Sequence, residues 1–211
     1  MSDLGFFLAV VVSVFALVDP FGALPFFVAL TEGFDAADRQ HVATRSVIIL
    51  GTVLGAFALV GRFVFEAFGF TLAAFEIAGG ALLFLVAFEM LQGEVTRSKL
   101  TAQDRADALA RRDEIAVVPL GIPLLAGPGA ISTVMIYEGN AGSDLLMIAA
   151  TFVAIGVTTA SSWLILRYGP SILHRMGRPG IMVLTRVMGL LLAAVGVQFI
   201  LNGLLATFPG L

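Results

Sequence analysis

Asp19-Pro20-Phe21-Gly22-Ala23-Leu24-Pro25 interrupts the first apolar run of this chain, and Leu125-Ala126-Gly127-Pro128-Gly129-Ala130-Ile131-Ser132 interrupts the fourth. Proline lacks the N–H that a helix uses, and its ring clashes with the preceding turn. Glycine permits dihedrals that a continuous helix does not use. Within hydrocarbon each backbone group freed in this way is costly, so such breaks persist where a cavity, water or a ligand satisfies them. Two breaks, each in the first segment of one half, point to two discontinuous transmembrane helices meeting at a substrate site.

The composition agrees. Hydrophobic residues make up 59% and charged residues 13% of the 211 positions, and the mean hydropathy is +1.00, outside the range of a soluble domain. Six apolar segments of the length a bilayer demands, roughly 20 residues, run about Leu4–Leu30, Val42–Phe65, Thr71–Leu91, Ile115–Tyr137, Leu145–Arg167 and Leu184–Phe208. The N-terminus lacks the basic start of a secretory signal, so residues 4–30 read as a retained first span. Cysteine is absent, which excludes disulfides and thiolate chemistry.

Lysine and arginine orient the spans, because cationic loops resist export. Arg39, Arg45, Arg97, Lys99, Arg105, Arg111, Arg112, Arg175 and Arg178 fall in or beside the first, third and fifth connections, with Arg167 and Arg186 flanking the fifth; Arg62 alone lies opposite. Both termini are therefore expected outside. The connection 93–114 is expected in the cytoplasm, with a short surface helix from Thr101.

The halves 1–92 and 115–211 align weakly through their special residues. Pro20 falls on Pro128 and Phe68-Gly69 on Tyr168-Gly169, while Gly79, Leu82, Leu91 and Gly93 fall on Gly189, Leu192, Leu201 and Gly203. Three spans per half is an odd count, so the second half is inverted relative to the first, with a pseudo-two-fold axis in the membrane plane. The expected fold is an all-α membrane protein of six transmembrane helices in two inverted three-helix repeats, with spans 1 and 4 discontinuous.

Counted along a helix at 1.5 Å per residue, Asp19 lies roughly 22 Å and Gly127 roughly 18 Å into their spans, near mid-bilayer. The second half-helix of each broken span starts there, presenting free N–H groups and a positive dipole end that suit an anion. The candidate site is Asp19, Pro20, Gly22, Gly127, Pro128, Gly129, Ser132 and Thr133. One acid beside two anion-binding helix ends suits a zwitterion, with the ammonium near Asp19 and the carboxylate on the N–H groups. Asp19 equally suits a coupling proton, or a plain helix cap, since Asp-Pro is a common helix start. Ser132 and Thr133 either add hydroxyls to the site or bond their own backbone.

Glu76, Glu89, Arg186, Gln198 and Asn202 are further polar residues within spans, either lining a pathway or holding helices together. Inversion pairs Glu76 with Arg62 on the outer side and Arg186 with Glu89 on the inner side. His41 and His174 read as loop residues. The run Thr158-Thr159-Ala160-Ser161-Ser162 reads as a close-packing surface. Enzyme signatures, phosphate loops and metal constellations are missing, so neither catalysis nor a cofactor is expected, and there is no basic face for nucleic acid.

Phe15-Ala16-Leu17-Val18-Asp19-Pro20-Phe21-Gly22-Ala23-Leu24-Pro25, followed by Leu30-Thr31, resembles the first-span motif of the MarC family. Ile115-Ala116-Val117-Val118-Pro119-Leu120-Gly121-Ile122-Pro123-Leu124-Leu125-Ala126-Gly127-Pro128-Gly129-Ala130-Ile131-Ser132-Thr133 looks like its fourth-span signature. Ala78-Gly79-Gly80 and Arg186-Val187-Met188-Gly189 are similar to its third and sixth spans. The resemblance implies six spans in two related halves and transport of small neutral amino acids such as glycine and alanine. The expected partners are a small zwitterionic substrate, a coupling proton or sodium ion and the lipid of a bacterial-type inner membrane; an oligomer is compatible. An exporter of another small metabolite and a non-transporting membrane scaffold are the alternatives.

Overall fold

The computed structural model describes residues 3–69, 71–92, 112–142, 144–170 and 177–208. Among these residues the chain forms α1 (Asp3–Val18), α2 (Pro20–Leu30), α3 (Ala36–Phe68), α4 (Leu72–Gln92), the distorted segment α5 (Ala116–Leu125), α6 (Pro128–Ala141), α7 (Leu145–Tyr168) and α8 (Gly177–Thr207). Five stretches are long and apolar enough to cross a membrane: α1 with α2 from Phe7, α3, α4, α7, and α8 from Arg186. The α5–α6 pair makes a sixth candidate.

The helix ends follow local chemistry. Asp35 caps α3, its carboxylate accepting the Asp38 N–H at 2.7 Å, so one orphan donor of the first turn is satisfied. The helix therefore begins before Val42 and takes in His41, which corrects the loop assignment of that residue. Asp144 caps α7 through the N–H groups of Leu146 and Met147. Gly69 closes α3 at φ 69°, a left-handed ending that glycine adopts without strain. The expected surface helix after Thr101 and His174 lie outside the described residues.

The most extensive helix contact joins α4 and α8. Gly189, Gly196 and Gly203 recur at heptad spacing on α8 and face Ala87, Gly80 and Ala73 of α4 in the opposite order. A Cβ on Gly196 would lie 2.6 Å from the Gly80 carbonyl oxygen, and one on Gly203 would lie 2.5 Å from that of Ala73. The two helices run antiparallel with their backbones in contact, the mode by which small residues drive helix association in lipid.

Around this seam the other elements form two apolar clusters. The larger joins α1, α2, α3, α5, α6 and α7 through Val10, Phe27, Leu50, Leu54, Leu120 and Ile131 among others. The smaller joins α2, α4 and α8 through Phe26, Ala29, Leu83, Ala87, Met90 and Leu192. The packing has a pattern. α3 lies against α5 and α6, and α7 lies against α1 and α2; α2 touches α8, and α4 touches α5 and α6.

Candidate functional site

The two sequence breaks fold differently. At the first, Asp19 alone departs from the helix, at φ 42° and ψ 63°, a left-handed conformation that Asp tolerates better than most residues. The ladder continues past it: the Asp19 N–H bonds Phe15 O at 3.0 Å and the Ala23 N–H bonds Asp19 O at 3.0 Å. The Asp19 carboxylate accepts the Gly22 N–H at 3.0 Å. Asp19 is thus the N-cap of α2, with Pro20 in the first turn. Gly22 leaves room for this cap, because a Cβ there would press on that carboxylate. α1 and α2 continue as one apolar run, Phe7–Leu30.

The second break is wider. Val118 (φ −128°, ψ 123°) and Ile122 (φ −138°, ψ 131°) are extended within α5, because each precedes a proline whose ring disfavours the helical region for its neighbour. Both X-Pro bonds, Val118-Pro119 and Ile122-Pro123, are cis. Reading Ile115–Tyr137 as a helix broken only near Gly127 missed this; Pro119 and Pro123 were the available signal. Gly121 O accepts the Ala126 N–H at 2.9 Å and closes the segment. α6 then departs from Pro128, and Arg112–Leu125 and Pro128–Gly139 lie at 59° to each other.

The start of α6 has no side-chain cap. Pro128 has no N–H to give, and the Ile131 N–H bonds Gly127 O at 3.0 Å. The N–H groups of Gly129 and Ala130 are the donors left at this end. Gly127, Pro128 and Ala130 are buried. Three other elements surround the break: positions for a Cβ on Gly129, Gly79 and Gly127 lie 3.6 Å from Leu17, 3.0 Å from Pro128 and 3.7 Å from Phe199. Leu17 belongs to α1 and stands two residues before Asp19, so the end of α1 lies against the start of α6. Tyr137 of α6 donates to Ser13 Oγ of α1 at 3.1 Å and ties the same pair of elements farther along.

Other expected residues are placed as follows. Ser132 donates to Gly129 O of its own helix at 2.9 Å, and Thr133 is half-buried. The Arg62–Glu76 pair does not form; Arg62 Nε donates to Glu66 Oε1 at 2.8 Å, one turn along α3, the cheaper local partner. Arg186 is exposed, and the side chain of Glu89 lies outside the described residues. Gln198 Nε2 donates to Asn202 Oδ1 at 2.7 Å on the exposed face of α8, so among the described residues these two join each other and no second helix.

A charged cluster that the sequence reading did not assemble ties the start of α3 to the residues before α5. His41 Nε2 lies 2.7 Å from Asp113 Oδ1, Arg45 lies 3.7 Å from the same oxygen, and Arg112 pairs with Asp38. Arg39 donates to Phe34 O at 2.7 Å. The signal was one turn of α3 carrying Asp38 and His41 against an Arg112-Asp113 pair.

The family described as MarC family integral membrane protein matches residues 4–208. This chain belongs to the MarC family. A relative named UPF0056 membrane protein MJ1677 from Methanocaldococcus jannaschii is 42% identical over 96% of this chain and 97% of its own length. Another, UPF0056 membrane protein YhcE of Escherichia coli, is 35% identical over 95% of this chain and 92% of its own. A third, UPF0056 membrane protein YvbG of Bacillus subtilis, is 35% identical over 97% and 96%. No solved structure matches the chain. With its apolar helices, this MarC family chain is an integral membrane protein.

Proposed function

We propose that this MarC family protein is a secondary transporter of small neutral amino acids of the glycine and alanine type, coupled to a proton or sodium ion, in a bacterial-type inner membrane. The observation that carries this reading is the start of α6. There, two backbone donors, Gly129 and Ala130, sit without a side-chain acceptor among buried residues, at the positive end of a helix dipole. A carboxylate satisfies them. Asp19, at the other break, is exposed on the protein surface. An acid at that depth is costly against lipid, so we place it on a water-filled path, where it serves an ammonium group or a coupling proton.

Much of the helix packing fits two related halves, and in our reading these are inverted repeats with discontinuous spans 1 and 4. Exchanging the halves maps α3 against α5–α6 onto α7 against α1–α2, and α2 against α8 onto α6 against α4; the α3–α7 and α4–α8 pairs map onto themselves. In this reading the halves are 1–92 and 115–211, the 93–114 connection is cytoplasmic and both termini are outside. The satisfied cap at Asp19 favours the second reading, a scaffold without transport, for that residue alone.

The test is uptake of labelled glycine and alanine into liposomes holding the purified protein, with and without an imposed pH or sodium gradient. Gradient-driven accumulation is the expected result. Folded protein that moves neither solute under any gradient removes the reading.

A further inference from the structure

A groove of about 690 Å³ runs between α3 and α7, and none of its lining residues belongs to either break. Its walls include Val47, Ile48 and Gly51 of α3 and Ile155, Gly156 and Leu164 of α7, so it is almost wholly apolar. It is narrowed at one end by a fixed pair: Trp163 Nε1 donates to Thr44 Oγ1 at 3.0 Å. Beyond that pair the chemistry changes abruptly. The Arg167 guanidinium lies over the Trp163 ring at 4.7 Å and the Tyr168 ring at 5.6 Å. Among the described residues Arg167 has no carboxylate partner. Arg45 follows Thr44 on α3, its side chain 57% exposed although Asp113 stands 3.7 Å away.

We infer that this groove binds an anionic glycerophospholipid, one acyl chain lying between α3 and α7 and the phosphate held at Arg167. Trp and Tyr mark the headgroup level of a membrane protein. A guanidinium held over an aromatic ring loses part of its freedom and keeps its N–H donors for an anion, which favours a phosphate. The volume falls in the ~300–1,000 Å³ range of small-molecule sites. A helix from a second copy would fill the apolar walls and leave Arg167 unanswered; a phospholipid answers both parts at once. The inference is independent of what the protein transports.

Purified protein in mild detergent is incubated with equal amounts of phosphatidylglycerol and phosphatidylcholine carrying the same acyl chains, and the retained lipid is counted by native mass spectrometry. Phosphatidylglycerol is expected to be retained about fivefold over phosphatidylcholine or more, the preference one interfacial arginine supplies. Arg167→Gln brings that ratio close to one, whereas Arg62→Gln on the other side of the protein leaves it unchanged. Gly156→Leu places a side chain in space that meets no protein atom within 4 Å of its Cβ; it is expected to reduce retention of both lipids severalfold while leaving the melting temperature in place. Equal retention of the two lipids by the wild type, or an unchanged ratio in Arg167→Gln, overturns the inference. So does a dimer that Gly156→Leu dissolves without loss of lipid, since the groove then belongs to a second copy.

Discussion

The starts of α2 and α6 are matched in sequence by Pro20 and Pro128, and they solve the same problem in opposite ways. α2 carries its own acceptor: Asp19 adopts a left-handed conformation, turns its carboxylate onto the Gly22 N–H, and the backbone ladder continues through the break. α6 carries none. Gly127 stands where Asp19 would, the preceding segment bends away through Pro119 and Pro123, and two donors remain for something else. A charge built into one end and withheld from the other makes the pair complementary, which two identical ends would not be.

Four substitutions sharpen or break that contrast. The largest effect is expected from Gly127→Ala, whose Cβ would stand 2.8 Å from the Pro123 carbonyl oxygen. Backbone cannot swing aside, so overpacking costs about 1–3 kcal/mol and uptake fails; thermal unfolding in detergent and liposome uptake check both. Asp19→Asn is expected to abolish gradient-driven uptake and leave the melting temperature nearly unchanged, because asparagine caps as well as aspartate. Undiminished uptake would show that the carboxylate is a cap and nothing more.

Gly22→Ala pushes against a side chain that can rotate away, so its cost is that of a lost cap, about 1 kcal/mol. A melting temperature lowered by roughly 2–4 °C would match that figure for a chain of this size. If it destabilises more than Gly127→Ala, the ranking of the two ends is wrong. Ser132→Ala removes only a bond to Gly129 O within the same helix, and a change within about 0.5 kcal/mol is expected. A larger loss of uptake than of stability in that variant would place its hydroxyl at the solute.

The breaks were legible because Pro and Gly act on the chain locally. Pro128 after Gly127 ends one helix and starts another wherever it occurs, and Asp19 before Pro20 carries a cap signal. The extension at Val118 and Ile122 is equally local, but a continuous apolar run hides it beside the stronger break at Gly127. What sequence could not give was long-range choice. Arg62 had Glu66 one turn away and Glu76 on the next helix; proximity along α3 won. Thr44 and Trp163, and His41 and Asp113, are brought together only by the packing of α3 against α7 and α5. The even spread of glycines along α8 was visible, yet its partner residues on α4 were not.

That α4–α8 seam limits how the two helices can move. Where Gly196 meets the Gly80 carbonyl and Gly203 meets that of Ala73, a shift along the helix axis drives neighbouring side chains into carbonyl oxygens. Sliding is blocked by steric stops, while a change of crossing angle keeps the glycines in register. The seam is therefore a pivot with no axial play, and any rearrangement of α8 against α4 is expected to be a rocking about it. Spin labels at opposite ends of α4 and α8 would report this as one distance lengthening while the other shortens.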